Sequence, residues 1–271
     1  MQSAIKAKTP QPPLQSPIRH IAVVIPAHNE QDSIAECVRA IVRASDYLTA
    51  YRKNHNLAAI KICVIVVLDS CTDDTQTIVQ HSAQVQHSAK ALEHVIVNSD
   101  ENTPNLQSLT CAYRCVGQVR DFGVHHAIVQ GADWIACTDA DSQVTEEWLV
   151  AQLNHVTNEH CDMICGVVSV DSWEHLTATT KQNYLAHYQD RMHHRHIHGA
   201  NLSFSAQAYD SVGGFAKIPC HEDVDLVKKF DTRGLSIVWS NQVRVITSSR
   251  LEARADEGFA HFLNKLQQDE N

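Results

Sequence analysis

Two aspartates one residue apart, Asp139 and Asp141, follow the apolar run Trp134-Ile135-Ala136-Cys137. A buried strand ending this way turns both carboxylates to one side, because side chains two apart share a face and their Cα atoms lie about 6.6 Å apart. Such a pair can hold one divalent cation. The cation can bridge a nucleotide's phosphates and absorb the charge that grows on them as they leave. A polar turn is the simpler reading, since Asp and Ser are frequent turn formers. Acids recur at other places that read as strand ends. Glu30 follows the run Ile21-Ala22-Val23-Val24-Ile25, closed by Pro26, and Asp69 follows the run from Ile62 to Leu68. A later pair, Glu222-Asp223, opens a helical stretch. A carboxylate there could take the proton of an attacking hydroxyl. Its other use is a favourable contact with the helix dipole.

The elements that must position these acids alternate. Strands are expected at 21–25, 62–68, 95–97 and from Trp134 to the aspartates. Helices are expected from about 31–33 to 55, 75–91 and 106–130, from apolar residues at helical spacing such as Ile34, Val38, Ile41, Val42 and Leu48. Thr72 or Asp73 can cap the second helix. A β-α-β-α-β-α-β order implies a parallel sheet with helices on both faces and ligands at its carboxyl edge. Three acidic loops would then meet at one crevice. The second half is less regular. Helices are expected at 146–158, 175–188 and 222–232, with a helical turn at 206–212. Strands are expected at 161–170, 201–205, 235–239 and 243–247, and a final helix at 257–268.

Composition sets outer bounds. The 271 residues suffice for one large domain, 44% are apolar, and the formal charge of −9 argues against a nucleic-acid partner. Nine cysteines form no CxxC pair and read as reduced thiols of a cytoplasmic protein. Cys111 and Cys115 are expected on one helix face, while Cys161 and Cys165 span a strand start. The longest apolar run is far short of the ~20 residues a membrane span needs. Residues 1–18 carry four prolines and two lysines and read as a flexible tail.

Taken together, Val23-Val24-Ile25-Pro26-Ala27-His28-Asn29-Glu30, Leu68-Asp69-Ser70-Cys71-Thr72-Asp73-Asp74-Thr75, Thr138-Asp139-Ala140-Asp141-Ser142, Gly199-Ala200-Asn201-Leu202, Gly213-Gly214-Phe215 and Glu222-Asp223-Val224-Asp225-Leu226 resemble a family 2 glycosyltransferase of the GT-A fold, over about residues 20 to 250. The resemblance implies an α/β domain over 19–271 with a mixed, mostly parallel sheet. Residues 19–142 would form its nucleotide-binding half and 143–271 its acceptor-binding half. It implies a Mg²⁺ or Mn²⁺ ion, a UDP- or GDP-linked sugar donor and transfer with inversion to a hydroxyl acceptor. That acceptor would be soluble or reached by peripheral membrane contact. Pro26, Ala27, Asn29, Glu30, Asp69, Arg120, Asp139 and Ala140 would bind the nucleotide sugar. Arg120 stands in Val119-Arg120-Asp121-Phe122-Gly123, similar to a family segment whose arginine supports the metal aspartates. Asp141, with Asp139, would hold the metal. Asp223 and Glu222 would form the catalytic pair, with Asp223 as the base, and Asn201, Gly214 and His198 would face the acceptor.

Two departures matter. Leu68 stands where many relatives carry an acid. No Gln-x-x-Arg-Trp string follows Asp225, which points to a non-processive enzyme. Two other classes stay open, a sugar-nucleotidyltransferase and a non-catalytic nucleotide-sugar-binding module. The first usually carries a Gly-rich basic loop after the first strand, and Pro26 to Glu30 has neither Gly nor Lys. His193, His194, His196 and His198 could bind a transition metal or form an acceptor-facing loop. Arg250 and Arg254 could clamp phosphate or simply be solvated. Trp173 and Trp239 could stack on a sugar or pack in the core.

Overall fold

The computed structural model describes residues 18–83, 104–174, 176–218 and 220–250. Strand β1 (His20–Ala27) and β2 (Lys61–Asp69) are nearly continuous runs of buried, mostly β-branched residues. A strand covered on both faces needs that composition. Between them α1 (Ile34–Asn54) has Glu36 in its first turn and Arg52 and Lys53 in its last, matching the helix dipole. Helix α2 begins at residue 75 and is described to residue 83. Asp73 caps it by accepting the Thr75 backbone N–H at 3.1 Å. Then follow β3 (Asn105–Cys111), α3 (Val116–Val129), β4 (Trp134–Cys137), β5 (Ser142–Val144), α4 (Trp148–Glu159), β6 (Met163–Val170) and α5 (Ala178–His187). A 3₁₀ turn at Gly199–Asn201 leads into β7 (Leu202–Ser205), α6 (Ala206–Val212), α7 (Glu222–Arg233) and β8 (Ile237–Thr247).

Among the described residues the strands form one eight-stranded sheet in the order β3-β2-β1-β4-β7-β6-β8-β5. The first four are parallel to one another, and β7 pairs antiparallel with β4 and β6. β6 and β8 are again parallel, and β5 closes the edge antiparallel to β8. The mixed, mostly parallel sheet therefore matches the expected α/β class. Chain order reverses between β1 and β4, so the crevice beyond their carboxyl ends is the natural ligand position. Alternate residues of β1 enter two cores. Ile21, Val23 and Ile25 pack with α1 and α4, whereas Ala22 and Val24 pack with α3, α6 and α7.

Several expectations need correction. The helix expected at 106–130 is a strand, β3, followed after a four-residue loop by the shorter α3. Leu106 faces one core and Leu109 the other, so this edge strand shows no clean alternation. Arg114 has φ 48°, a left-handed value that no continuous helix accommodates. Cys111 and Cys115 accordingly share no helix face: one ends β3 and the other precedes α3. The two strands expected at 235–239 and 243–247 are one strand, β8, with an irregularity that pairs Gly166 with Ser240 but Val167 with Arg244. The short β5 has no counterpart in the sequence reading. The flexible tail, the strand at 95–97 and the helix at 257–268 fall outside the described residues, apart from Ile18, which is buried.

Candidate active site

The acids meet at the carboxyl edge, held by two arginines. Arg120 lies on α3, buried under the sheet's edge. Its Nη1 donates to Glu222 Oε1 at 2.5 Å and its Nη2 to Asp139 Oδ1. Burial alone would lower the proton affinity of this guanidinium, but the charges of Asp139 and Glu222 reverse that and raise it. Glu222 is itself buried, which pushes its carboxyl above the ordinary range against the pull of Arg120. The loop after β4 is thereby tied to the start of α7. One backbone contact extends the tie: the Gly199 N–H donates to Asp223 Oδ2 at 2.8 Å. A Cβ at position 199 would overlap the Arg120 guanidinium and push it from its ion pairs, which favours glycine there.

Asp141 is nearly buried. Desolvation first and the Asp139 charge second push its carboxyl up to about 6. Arg250, just past β8, meets Asp141 Oδ2 at 2.8 Å and donates to both oxygens of Glu30 at 2.8 and 2.9 Å. Glu30 is further fixed by Ser33 Oγ, and its backbone N–H donates to Thr75 Oγ1 at 2.8 Å. Carboxylate oxygens concentrated in this way suit a hard divalent cation. Among the described residues no three His, Cys, Asp or Glu side chains stand together as a complete metal cage. A cation of the magnesium type needs none, since one or two carboxylates plus a substrate's phosphates can hold it. Asp141 with Asp139 meets that requirement.

The other candidate residues take distinct places. Pro26 and Ala27 end β1, and Ala140 is buried in the core behind the aspartates. Asn29 adopts φ 54° and accepts the Thr72 N–H at 2.8 Å, which clips the loop after β1 to the loop after β2. Asp69 accepts the N–H groups of Tyr113 and Arg114, both at 2.8 Å, so its carboxylate shapes the β3–α3 loop. Asn201 is buried and bonds to Trp148 Nε1 and to the carbonyls of Val167 and Val243. Gly214, at φ 67°, lies against Tyr209 and Asp121, whose hydrogen bond joins α6 to α3. His198 immediately precedes Gly199. Burial holds it neutral, with its pKa lowered to about 3.

The histidine-rich stretch forms a stack of rings. His196 lies flat on Tyr188 at 4.1 Å, Tyr188 on Tyr184 at 4.9 Å, and Tyr184 meets Trp173 at 5.2 Å. Trp239 carries the Arg195 guanidinium on its face at 5.0 Å. Arg254 lies outside the described residues. Sequence reasoning missed two contributors, the Gly199 amide and Thr75. A glycine after His198 and a threonine two residues beyond Asp73 carry no chemical signal of their own. It also left Arg250 undecided between phosphate and solvent.

The glycosyl transferase family 2 profile matches residues 22–212, and the chain belongs to that family. No curated protein matches it by sequence. Among solved structures, S. aureus TarS 1–349 in complex with UDP-GlcNAc superposes with a TM-score of 0.61 at 14% identity, over 87% of this chain and 60% of that one. The mannosyltransferase PcManGT from Pyrobaculum calidifontis, in complex with GDP-Man and Mn²⁺, gives 0.59 at 17% identity, over 91% and 62%. The chain thus spans about three fifths of the length of these two solved chains. At such identities the likeness is one of fold, the GT-A arrangement.

Proposed function

We propose that this chain is a metal-dependent, inverting, non-processive glycosyltransferase that moves a sugar from a UDP- or GDP-linked donor to a hydroxyl acceptor. The observation that carries the reading is the Arg120 link, which joins the Asp139–Asp141 loop to Glu222–Asp223 at the edge where β1 and β4 part. Donor and base must work on opposite sides of one sugar carbon, and this link sets the distance between the elements that carry them.

A bound Mg²⁺ or Mn²⁺ would neutralise the diphosphate as it leaves, so no acid is required on that side. Asp141 and Asp139 would hold the ion. Asp223 would accept the acceptor hydroxyl's proton as its oxygen attacks the anomeric carbon from the face opposite the diphosphate. The Gly199 N–H on Oδ2 holds that carboxylate in one orientation. Glu222, engaged with Arg120, fixes the start of α7 rather than touching substrate. Pro26 to Glu30 and Asp69 would border the nucleoside. His198 and the stacked rings beside it would border the acceptor. We read the nine cysteines as the reduced thiols of a cytoplasmic protein.

A thermal-shift screen with UDP, GDP, CDP and dTDP, each with and without Mn²⁺, tests the reading, because a ligand that binds the folded form raises Tm. One of the first two should raise Tm only when Mn²⁺ is present, and Asp141→Ala should abolish that rise. A Tm that no nucleotide moves would contradict the proposal.

A further inference from the structure

Arg250 is fastened at its main chain and reaches into the donor edge with its head. The neighbouring Ser248 N–H donates to the Asp141 carbonyl at 3.2 Å, and Ser249 is held by Asp171 through its N–H at 2.9 Å and its hydroxyl at 2.6 Å. From this anchored segment the guanidinium spans Glu30, which follows β1, and Asp141, which follows β4. A planar guanidinium binds a phosphate as readily as a carboxylate, and by the same paired hydrogen bonds. A cation that coordinates Asp141 and the arginine that pairs with it compete for the same carboxylate. A diphosphate arriving with the cation offers the arginine a replacement partner.

Resting on the reading of this edge as a donor site, the geometry points to Arg250 as a positioning residue that exchanges partners. It holds Asp141 and Glu30 until a divalent cation and a nucleoside diphosphate bind together. It then gives up Asp141 to the cation and turns those hydrogen bonds to the diphosphate. Two consequences follow. The cation alone binds weakly, because it must displace an arginine that gains nothing in return. The cation and the nucleotide each strengthen the other's binding, as linkage requires.

The test is Mn²⁺ binding to the full chain, read from the electron paramagnetic resonance signal of the free ion, with and without UDP or GDP. Arg250→Met keeps the stem and removes the charge. It should bind Mn²⁺ alone about tenfold more tightly than wild type, the effect of freeing a carboxylate from one charge-assisted hydrogen bond. It should also lose most of the tightening that the nucleotide produces in wild type. Equal or weaker Mn²⁺ binding by Arg250→Met would overturn the proposal. If circular dichroism shows that variant unfolded, Arg250→Lys serves instead. Its compact ammonium lacks the planar fork that meets both oxygens of Glu30 while touching Asp141, so Mn²⁺ alone should again bind more tightly, and an unchanged constant would overturn the proposal. A wild-type chain that ignores every nucleoside diphosphate overturns the donor reading itself. The Mn²⁺-alone comparison still decides whether Arg250 and the ion compete.

Discussion

Arg120 and Arg250 each join two carboxylates at the same sheet edge, one from within the fold and one from its rim. The Arg120 side chain is 4% exposed and rises from the middle of a helix, whereas that of Arg250 is 28% exposed and follows the last described strand. Arg120 binds one acid from each half of the chain, so the two halves cannot separate at the site without leaving a buried charge. Arg250 binds Glu30 and Asp141, both from the first half of the chain, and its head meets solvent. The same chemistry therefore serves as a fixed strut in one place and an exchangeable contact in the other, and burial decides which.

The sharpest way to break this comparison is to remove each charge in turn. Arg120→Met strands Glu222 and Asp139 without their cation. It should cost about 3–5 kcal/mol of folding stability, as breaking a buried pair does. Arg250→Met should cost less than Arg120→Met, about 1–3 kcal/mol, because the Arg250 head itself meets solvent although Glu30 and Asp141 are largely buried. Urea unfolding of the two variants measures both. Equal losses would erase the distinction between strut and exchangeable contact.

A smaller effect concerns the acceptor side, where burial rather than pairing sets protonation. The pKa of His198 is lowered first by burial and then by His196 and His194, to about 3. His194 and His196 are lowered in the same direction by burial. The folded state then binds fewer protons than the unfolded chain below pH 6.5, so stability falls as pH drops from about 6.5 toward 3. His198→Gln should flatten that decline, with a Tm advantage over wild type of roughly 2–4 °C per kcal/mol recovered at pH 4.5. Calorimetry across pH 4.5–7.5 checks it, and parallel curves would show that the ring stack is not the acid-sensitive element.

Legibility in the sequence follows the same division. The parallel half was readable because β1, β2 and β4 are apolar on both faces and an acid stands at the end of β2 and just after β1 and β4. The order of motifs then led to Asp139, Asp141, Glu222, Asp223 and Arg120. The edge strand β3 was not readable, since Leu106 and Leu109 serve opposite cores and mimic helical spacing. Asp69 and Asn201 carry the right chemistry for ligand contact, yet the fold uses their side chains on backbone groups and on Trp148. Such use depends on partners more than 30 residues away, which spacing along a chain does not reveal. Arg250 could not be assigned for the same reason: its partner Glu30 lies 220 residues earlier.

The central claim is that Asp223 takes the acceptor's proton while the metal-side acids hold the donor. Asp223→Asn separates the two roles most directly, in a comparison of donor affinity with transfer rate on the same preparation. Donor affinity should stay within about twofold of wild type while transfer falls by roughly 10²–10⁴, the range that general-base catalysis supplies. A variant that transfers sugar at the wild-type rate would contradict the account.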